Sequence, residues 1–213
     1  MGKKSNIELV NFARSKVGTD YVYGAKGEIL SLAKYLKLKK MYKEYVPDTD
    51  ETKVGKFCVD CSGLISWCTG IQKSSSMYKN EVAEIFPINT VEDAPIGAAV
   101  WRQGHIGIYI GGGRCIEARG SKYGVVISNL KERNFTHWFR LNDIEYVHEL
   151  YYPKYAGNSQ SLVDALNSLG IDSSKQNRLQ IANANGFENY LYLAEQNGYL
   201  LALLKEGKLK KYN

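Results

Sequence analysis

The chain contains one cysteine and one histidine whose sequence contexts suit catalysis. Cys61 lies in the segment D-C-S-G-L at 60–64, and His105 lies in G-H-I-G-I-Y-I-G at 104–111. A cysteine thiol becomes nucleophilic when an imidazole or a helix N-terminus favours its thiolate. Asp60 is a capping-type residue and helical spacing follows it, so we predict a helix with Cys61 in its first turn. The pair indicates a cysteine hydrolase.

Cys58 and Cys61 also form a C-x-x-C pair, which occurs in redox proteins and zinc sites. A zinc site needs a second pair of ligands, and the histidines lack the H-x3-5-H spacing that would supply it. A chain of this size with four cysteines and no visible secretory signal predicts reduced thiols rather than a disulfide scaffold. We therefore expect no metal and no organic cofactor.

Length and charge limit the classes of protein to consider. The chain has 213 residues, enough for one domain with a small appendage, and its formal net charge is +6. The positive charge favours polyanions such as nucleic acid, anionic lipid or an anionic cell wall. The lysines are scattered, and their densest cluster, at 34–43, carries no nucleic-acid-binding motif, so no nucleic acid partner is expected.

Neither a membrane span nor a signal peptide is visible. No segment approaches the roughly 18 to 20 apolar residues of a transmembrane helix. The N-terminal 17 residues lack the apolar run of a signal peptide and have the spacing of an amphipathic helix. We expect a soluble protein that is made in the cytoplasm without a signal peptide.

The first part of the chain has mainly helical patterns. Residues 18–24 read as an aromatic turn or short strand and 46–57 as a loop. Helices are predicted at 5–16, 27–45, 61–70 and 79–85. The helix at 27–45 is expected to bury an apolar stripe of Ile29, Leu30, Leu32, Ala33, Leu36 and Met41.

From Gly97 the pattern changes to short apolar runs separated by glycine-containing turns, which predicts an antiparallel meander. The predicted strands are 98–102, 105–110, 114–118, 125–130 and 144–150. Helices followed by an antiparallel sheet indicate the α+β class.

A polar stretch at 153–159 precedes a small all-α C-terminal module. Its three predicted helices are 162–169, 174–185 and 190–205. We therefore divide the chain into a domain at 1–155 and a module at 157–213.

Three sequence blocks, in order, carry a family resemblance: G-T-D-Y-V-Y-G at 18–24 and the segments at 60–64 and 104–111. Together they resemble the NlpC/p60 family of papain-like cell-wall cysteine peptidases. The resemblance implies a papain-like α+β fold, with N-terminal helices packed on an antiparallel sheet. It also implies a peptidoglycan hydrolase, of the phage endolysin type, that cleaves an amide bond of the stem peptide through a thioester on cysteine.

The resemblance also implies a role for each residue of the site. Cys61 would be the nucleophile and His105 the base, while the Tyr21 hydroxyl would help the backbone N–H of Cys61 to hold the oxyanion. The third member in the family is often a histidine, and the matching residue here is Glu117, a departure whose carboxylate would favour imidazolium and a thiolate. Asp60 and Ser62 match positions that contact a free amino terminus in some relatives.

Two further features resemble phage-type lysins. An insertion at about 25–57 could roof or extend the substrate groove, and the module at 157–213 is similar to short helical appendages that bind cell wall. Such a protein would act on the wall after release from the cytoplasm. Which bond is cut stays open among the muramoyl–L-alanine amide, the D-glutamyl bond and the cross-bridge, and so do the host, the ligand of the module and the oligomeric state.

Other interpretations remain. The chain could be an inactive wall-binding or assembly protein, or a cysteine acyltransferase or thioesterase on a related fold. The site residues have structural alternatives: a buried thiol for Cys61, a core histidine for His105, a surface glutamate for Glu117 and a core aromatic for Tyr21. The other cysteines, Cys58, Cys68 and Cys115, are expected to be packed thiols. The other histidines, His137 and His148, are expected to be structural or exposed.

Overall fold

The computed structural model describes residues 2–147 and 151–212, and the chain folds into two compact units. The first unit is Met1–Val147 and the second is His148–Asn213. In the described part of the chain, no helix combines the length and the apolar character needed to cross a membrane.

The first unit contains four α-helices, eleven short strands and four 3-10 helices among its described residues. The strands are β1 Lys4–Ser5, β2 Asp20–Tyr21, β3 Lys26–Ile29, β4 Phe57–Val59, β5 Phe86–Pro87, β6 Ala99–Arg102, β7 His105–Tyr109, β8 Arg114–Ala118, β9 Val125–Asn129, β10 His137–Phe139 and β11 Ile144–Glu145. The helices are α1 Asn6–Ser15, α2 Leu32–Tyr42, α3 Gly63–Thr69 and α4 Ser75–Asn80. The 3-10 helices are Lys43–Tyr45, Asp48–Lys53, Ile88–Asp93 and Leu130–Glu132.

The main sheet has six strands in the order β5-β10-β6-β7-β8-β9. All of its pairings are antiparallel, and β6 to β9 form a meander, which confirms the α+β class. A second sheet has the order β2-β4-β3, in which β2 and β4 run parallel, and β1 pairs parallel with β11. Strands β5 and β10 at one edge of the main sheet were not predicted.

Helices α1 and α3 share one hydrophobic core with the main sheet. Leu9 and Ala13 of α1 and Leu64 of α3 are buried in the same cluster as Ile106 and Ile116 of the sheet. Complete burial of each leucine or isoleucine side chain contributes about 1.5 to 3 kcal/mol. The core therefore fixes the start of α3 against β7, where Cys61 and His105 lie.

The prediction of one helix over 27–45 is wrong at its beginning. Residues Lys26–Ile29 form β3, which pairs with β4, and α2 begins at Leu32 after the cap Ser31, whose hydroxyl accepts a hydrogen bond from the N–H of Lys34. The predicted stripe is also wrong, because Leu30, which precedes the helix, is its only buried member. Tyr35 and Leu38, spaced three apart, set the buried face of α2 instead.

Other boundaries differ because capping serines and edge pairing were overlooked. The helix predicted at 79–85 is wrong over 81–85, because α4 ends at Asn80. It begins at Ser75 after the cap Ser74, whose hydroxyl accepts a hydrogen bond from the N–H of Met77. The loop predicted at 46–57 contains the 3-10 helix Asp48–Lys53. The last strand, predicted at 144–150, is Ile144–Glu145, and residues 148–150, including His148, lie outside the described residues.

A buried ion pair anchors the second sheet. The Lys53 ammonium donates hydrogen bonds to the Asp50 carboxylate at 2.7 Å and to the backbone carbonyls of Tyr21 at 2.7 Å and Ser121 at 2.8 Å. Asp50 is fully buried and Lys53 nearly so. The pair therefore ties the 3-10 helix to the strand that carries Tyr21.

Replacing Lys53 with methionine is expected to lower the free energy of unfolding by about 3 to 5 kcal/mol, because Asp50 is left buried without its cation. The double variant Lys53→Met with Asp50→Asn removes both charges and is expected to regain most of the free energy of unfolding that Lys53→Met loses. Urea denaturation of the two variants measures the effect. A loss below about 1 kcal/mol for Lys53→Met would contradict a structural role for the pair.

The described residues of the second unit, 151–212, contain three helices, α5 Leu162–Ser168, α6 Lys175–Ala184 and α7 Ala194–Glu206. Ser161 and Ser174 cap the first two through their hydroxyl groups. α7 begins four residues later than predicted and continues through Gly198 without a break. The three helices and their flanking segments share one core, which includes Leu162, Leu166, Ile181, Leu200 and Leu204.

Candidate active site

Cys61 lies in the turn between β4 and α3. The Asp60 carboxylate accepts a hydrogen bond from the N–H of Gly63 at 2.5 Å, and the Asp60 carbonyl accepts one from the N–H of Leu64 at 3.2 Å. Asp60 thus caps the helix, but α3 begins at Gly63, so Cys61 precedes the first helical turn instead of lying in it. A Cβ on Gly63 would lie 2.4 Å from the carbonyl oxygen of Ala25, so glycine is required at this close approach.

The sulfur of Cys61 is almost buried beside the start of β7. Burial raises the pKa of the Cys61 thiol to about 12, and the nearby Asp60 charge contributes to the rise. The backbone N–H groups of Ile106 and Ser62 act in the opposite direction and lower the pKa. Burial therefore opposes the thiolate that the sequence context favours.

His105 and Glu117 are in direct contact across strands β7 and β8. A hydrogen bond of 2.6 Å joins His105 Nε2 to Glu117 Oε2. The register pairs Ile108 with Ile116, which sets Glu117 opposite Gly107 and diagonal to His105 on the same face of the sheet. A Cβ on Gly107 would lie 3.3 Å from the Cβ of Glu117, so the glycine leaves room for the glutamate.

Arg133 holds the Glu117 carboxylate from the other side. Its Nε donates to Glu117 Oε1 at 2.7 Å and its Nη2 to Oε2 at 3.0 Å. Burial alone would raise the pKa of Glu117, but the hydrogen bonds from His105 and Arg133 outweigh it and lower the pKa to about 2. Glu117 is therefore a buried carboxylate and not a surface residue, and Arg133 is a partner that the sequence analysis missed.

The His105 ring also has an aromatic neighbour. Phe135 stacks on the imidazole with ring centroids 5.6 Å apart and an angle of 23° between the planes. Phe135 follows Arg133 by two residues in the segment that leads to β10. One short segment thus contacts both the histidine and its carboxylate.

Tyr21 lies in the same buried cluster as Cys61. The register of β2 and β4 pairs Tyr21 with Val59, two residues before the cysteine. Burial, together with the nearby charge of Asp60, raises the pKa of the Tyr21 hydroxyl. The hydroxyl is thus a protonated group, able to donate a hydrogen bond.

Asp60 and Ser62 contact a lysine of the same chain. Lys26 Nζ lies 3.0 and 2.9 Å from the two carboxylate oxygens of Asp60 and 2.8 Å from the hydroxyl oxygen of Ser62. Lys26 lies at the start of β3, in the segment predicted to be an insertion. The sequence analysis did not single out this residue.

Lys26, Asp60, Cys61 and Ser62 line one cleft of about 230 Å³, which we call the Cys61 cleft. Its wall also includes aromatic, serine and glycine residues: Tyr23, Gly24, Tyr42, Ser74, Ser75, Ser76 and Gly104. The nucleophile candidate and the lysine therefore face the same space.

The remaining cysteines and the described histidine outside the blocks have structural surroundings. Cys58 and Cys115 are buried in strands, and burial raises the pKa of Cys58 to about 11. His137 is half-buried on β10, where its Nδ1 is 2.9 Å from the Thr136 hydroxyl. Within residues 2–147 and 151–212, no cluster of three or more histidine, cysteine, aspartate or glutamate side chains could hold a metal ion.

Comparisons with known proteins give partial similarities. No protein-family model matches this chain. The L-alanyl-D-glutamate peptidase of Listeria phage A118 is 49% identical over 51 residues, which are 24% of this chain and 18% of that protein. The chain therefore matches less than a fifth of the length of that relative.

Similar solved structures carry NlpC/p60 domains or are described as peptidoglycan hydrolases. The peptidoglycan hydrolase RipB of Mycobacterium tuberculosis is 20% identical, with a TM-score of 0.43 over 66% of this chain and 65% of that one. The p60 domain of an antigen from M. avium subspecies paratuberculosis is 21% identical, with a TM-score of 0.44 over 66% and 96%. The NlpC/p60 domain of the peptidoglycan hydrolase SagA is 18% identical, with a TM-score of 0.42 over 64% and 99%.

Proposed function

We propose that the first unit is a cysteine peptidase or amidase that hydrolyses an amide bond in the stem peptide of bacterial peptidoglycan. The observation that carries the proposal is the buried hydrogen bond between His105 and Glu117. His105 lies on β7, and Ile106 and Ile108 of that strand are buried in the same cluster as Cys61. The three sequence blocks support the substrate class, and the phage relative is named as a peptidase of the L-alanyl-D-glutamate bond.

In the first step, the Cys61 sulfur attacks the carbonyl carbon of the scissile amide. Nε2 of His105 is hydrogen-bonded to Glu117, so in the proposal Nδ1 is the ring nitrogen that takes the thiol proton. The carbon–nitrogen bond then breaks, the proton passes from Nδ1 to the leaving amine, and the acyl group stays on sulfur as a thioester. In the second step, His105 takes a proton from water, whose oxygen attacks the thioester carbon. The carbon–sulfur bond then breaks, His105 returns the proton to the sulfur, and the carboxylic acid is released.

The charge of Glu117 compensates the positive charge that His105 takes on during attack. Burial raises the pKa of the Cys61 thiol, so in the proposal proton transfer to His105 accompanies formation of the carbon–sulfur bond. An ionised carboxylate 2.6 Å from Nε2 stabilises the imidazolium that forms. Arg133 keeps that carboxylate ionised inside the sheet.

The negative charge that develops on the carbonyl oxygen needs donors. The Tyr21 hydroxyl and the backbone N–H of Cys61 fill this role in the proposal, because Tyr21 is protonated and lies in the same buried cluster as Cys61. Loss of one oxyanion donor costs about 2.7 to 4 kcal/mol of transition-state stabilisation in well-studied hydrolases.

Arg133→Leu is expected to raise the pKa of Glu117, because burial continues to favour the neutral acid after two hydrogen bonds are lost. We expect the fall in kcat that accompanies protonation of Glu117 to begin at a pH higher by about one unit or more, with little change at neutral pH, where Glu117 is still ionised. Arg133→Lys keeps the charge without the two-pronged contact and should have an intermediate profile. An unchanged pH profile in Arg133→Leu would show that Arg133 does not act through Glu117.

Digestion of purified peptidoglycan, followed by mass spectrometry of the released fragments, tests the proposed function. We expect each cut to create one new amine and one new carboxylic acid within intact glycan and peptide components. The identity of the new ends tells the muramoyl–L-alanine amide, the D-glutamyl bond and the cross-bridge apart. An inactive wall-binding protein would release nothing, and a thioesterase would act on thioester substrates but not on peptidoglycan.

The second unit is part of the same proposal. On the resemblance to short lysin appendages, we propose that His148–Asn213 binds the cell wall and that the protein reaches the wall after release from the cytoplasm. The formal charge of +6 belongs to the whole chain and favours association of the full-length protein with an anionic wall. Sedimentation of the full-length Cys61→Ala protein with purified walls tests the binding, and no co-sedimentation would contradict it.

A further inference from the structure

The subsite formed by Asp60 and Ser62 already holds an ammonium group, that of Lys26. Resting on the proposed function, we propose that Lys26 makes the enzyme specific for stem peptides whose N-terminus is acylated, as in peptidoglycan attached to its glycan strand, and excludes peptides with a free terminal amine. The relatives that contact a free amine at this place would thus differ from this chain in substrate class.

The hydrogen-bonding capacity of Asp60 is used within the protein. Oδ1 accepts hydrogen bonds from Lys26, Ser62 and Gly63, and Oδ2 accepts from Lys26 and the backbone N–H of Gly24. A carboxylate offers about four lone-pair sites, and these five contacts, two of which come from the one Lys26 ammonium, leave none of them free. An incoming ammonium therefore has to displace Lys26 to bond with Asp60.

Charge and burial oppose that displacement. Asp60 and Ser62 are each buried to more than nine-tenths, and the Lys26 side chain is about four-fifths buried. A second ammonium beside Lys26 would meet a like charge in a site screened little by water. The neutral amide of an acylated terminus carries no charge and meets no such repulsion.

The same subsite lies next to the nucleophile. Lys26 pairs with Val59 across β3 and β4, two residues before Cys61, and both Lys26 and Cys61 line the Cys61 cleft. In the proposal, the N-terminal part of a bound stem peptide lies at Lys26 while its scissile amide is at the sulfur, since both residues line the same cleft. Lys26 is a specificity-determining residue in this assignment.

The test uses two synthetic stem peptides that are identical except for an N-acetyl group, with hydrolysis inside the peptide followed by mass spectrometry. We expect wild-type kcat/KM to be at least tenfold higher for the acetylated peptide. Lys26→Met frees the Asp60 carboxylate. We expect the ratio of kcat/KM for the acetylated peptide to kcat/KM for the free-amine peptide to fall at least tenfold in this variant. Lys26→Arg keeps the cation and should keep the preference, as should the matched charge-loss control Lys37→Met on the exposed face of α2.

Binding provides a second readout that does not depend on turnover. Calorimetry with Cys61→Ala should show weaker binding of the free-amine peptide than of the acetylated one, and the double variant with Lys26→Met should reverse that order. Equal use of both peptides by the wild-type enzyme, or a preference that survives in folded Lys26→Met, would overturn the assignment while the proposed function stands. A folded wild-type protein that cleaves neither these peptides nor peptidoglycan would instead refute the proposed function.

Discussion

Cys61→Ala is expected to reduce kcat for peptidoglycan hydrolysis by at least about 10⁴-fold, because no other group replaces the sulfur that forms the thioester. The measurement is the initial rate of fragment release from purified peptidoglycan. The fold should persist, since the substitution removes one small buried side chain, and circular dichroism checks this. Cys61→Ser places a much weaker nucleophile in the same position and should be similarly inactive.

Cys68→Ala is the matched control for Cys61→Ala. Cys68 is half-buried on α3 in the same structural unit, so its loss tests the effect of removing a cysteine without removing the proposed nucleophile. We expect activity within about twofold of wild type, as for a substitution outside the reacting groups. Equal losses in the two variants would remove the case for Cys61.

Glu117→Gln is expected to lower kcat by about 10² to 10⁴-fold, the range of general acid–base contributions, because the neutral amide no longer stabilises the His105 imidazolium. The amide is nearly the same shape as the carboxylate, but its NH2 group cannot accept a hydrogen bond, so one of the contacts with Arg133 or His105 is lost together with the charge. Steady-state kinetics with the walls, compared with Glu117→Asp, measures the effect. A rate close to wild type in Glu117→Gln would show that the charge has no part in the chemistry.

The pH dependence of folding gives an independent check on Glu117. Its pKa is lowered from 4.5 to about 2, so the carboxylate contributes stability that is fully present above about pH 4.5 and is lost as pH falls through about 2. The wild-type free energy of unfolding should therefore fall over that interval more steeply than that of Glu117→Gln. Parallel curves for the two proteins would mean that the Glu117 pKa is not depressed.

The sequence predicted the parts of the fold that leave a local pattern. The meander from β6 to β9 was predicted because apolar runs alternate with glycine turns. Strand β3 was missed because its residues, K-G-E-I, have no strand-like alternation and are held by backbone pairing to β4. Helix α2 was phased incorrectly because Tyr35 was not counted among its apolar residues, although Tyr35 and Leu38 form its buried face.

The residues of the site likewise divide into those that a local sequence pattern predicted and those that it did not. The block at 104–111 and Glu117 were found from sequence, and the structure places His105 and Glu117 in hydrogen-bonding contact, although their catalytic roles remain predictions. Lys26 and Arg133 were missed because each reaches its carboxylate across the fold, 34 and 16 positions away in the chain. No local periodicity records such pairs, since tertiary packing alone brings them together.

The thioester on Cys61 is the central claim, and acid quenching during turnover tests it most directly. Wild-type protein mixed with a stem peptide is stopped in acid within milliseconds to seconds, digested, and examined by mass spectrometry for cysteine-containing peptides. The account predicts that the peptide with Cys61 gains the mass of the acyl part of the substrate and that the peptides with Cys58, Cys68 and Cys115 do not. Product formation with an acyl group on another cysteine, or undiminished turnover in Cys61→Ala, would contradict it.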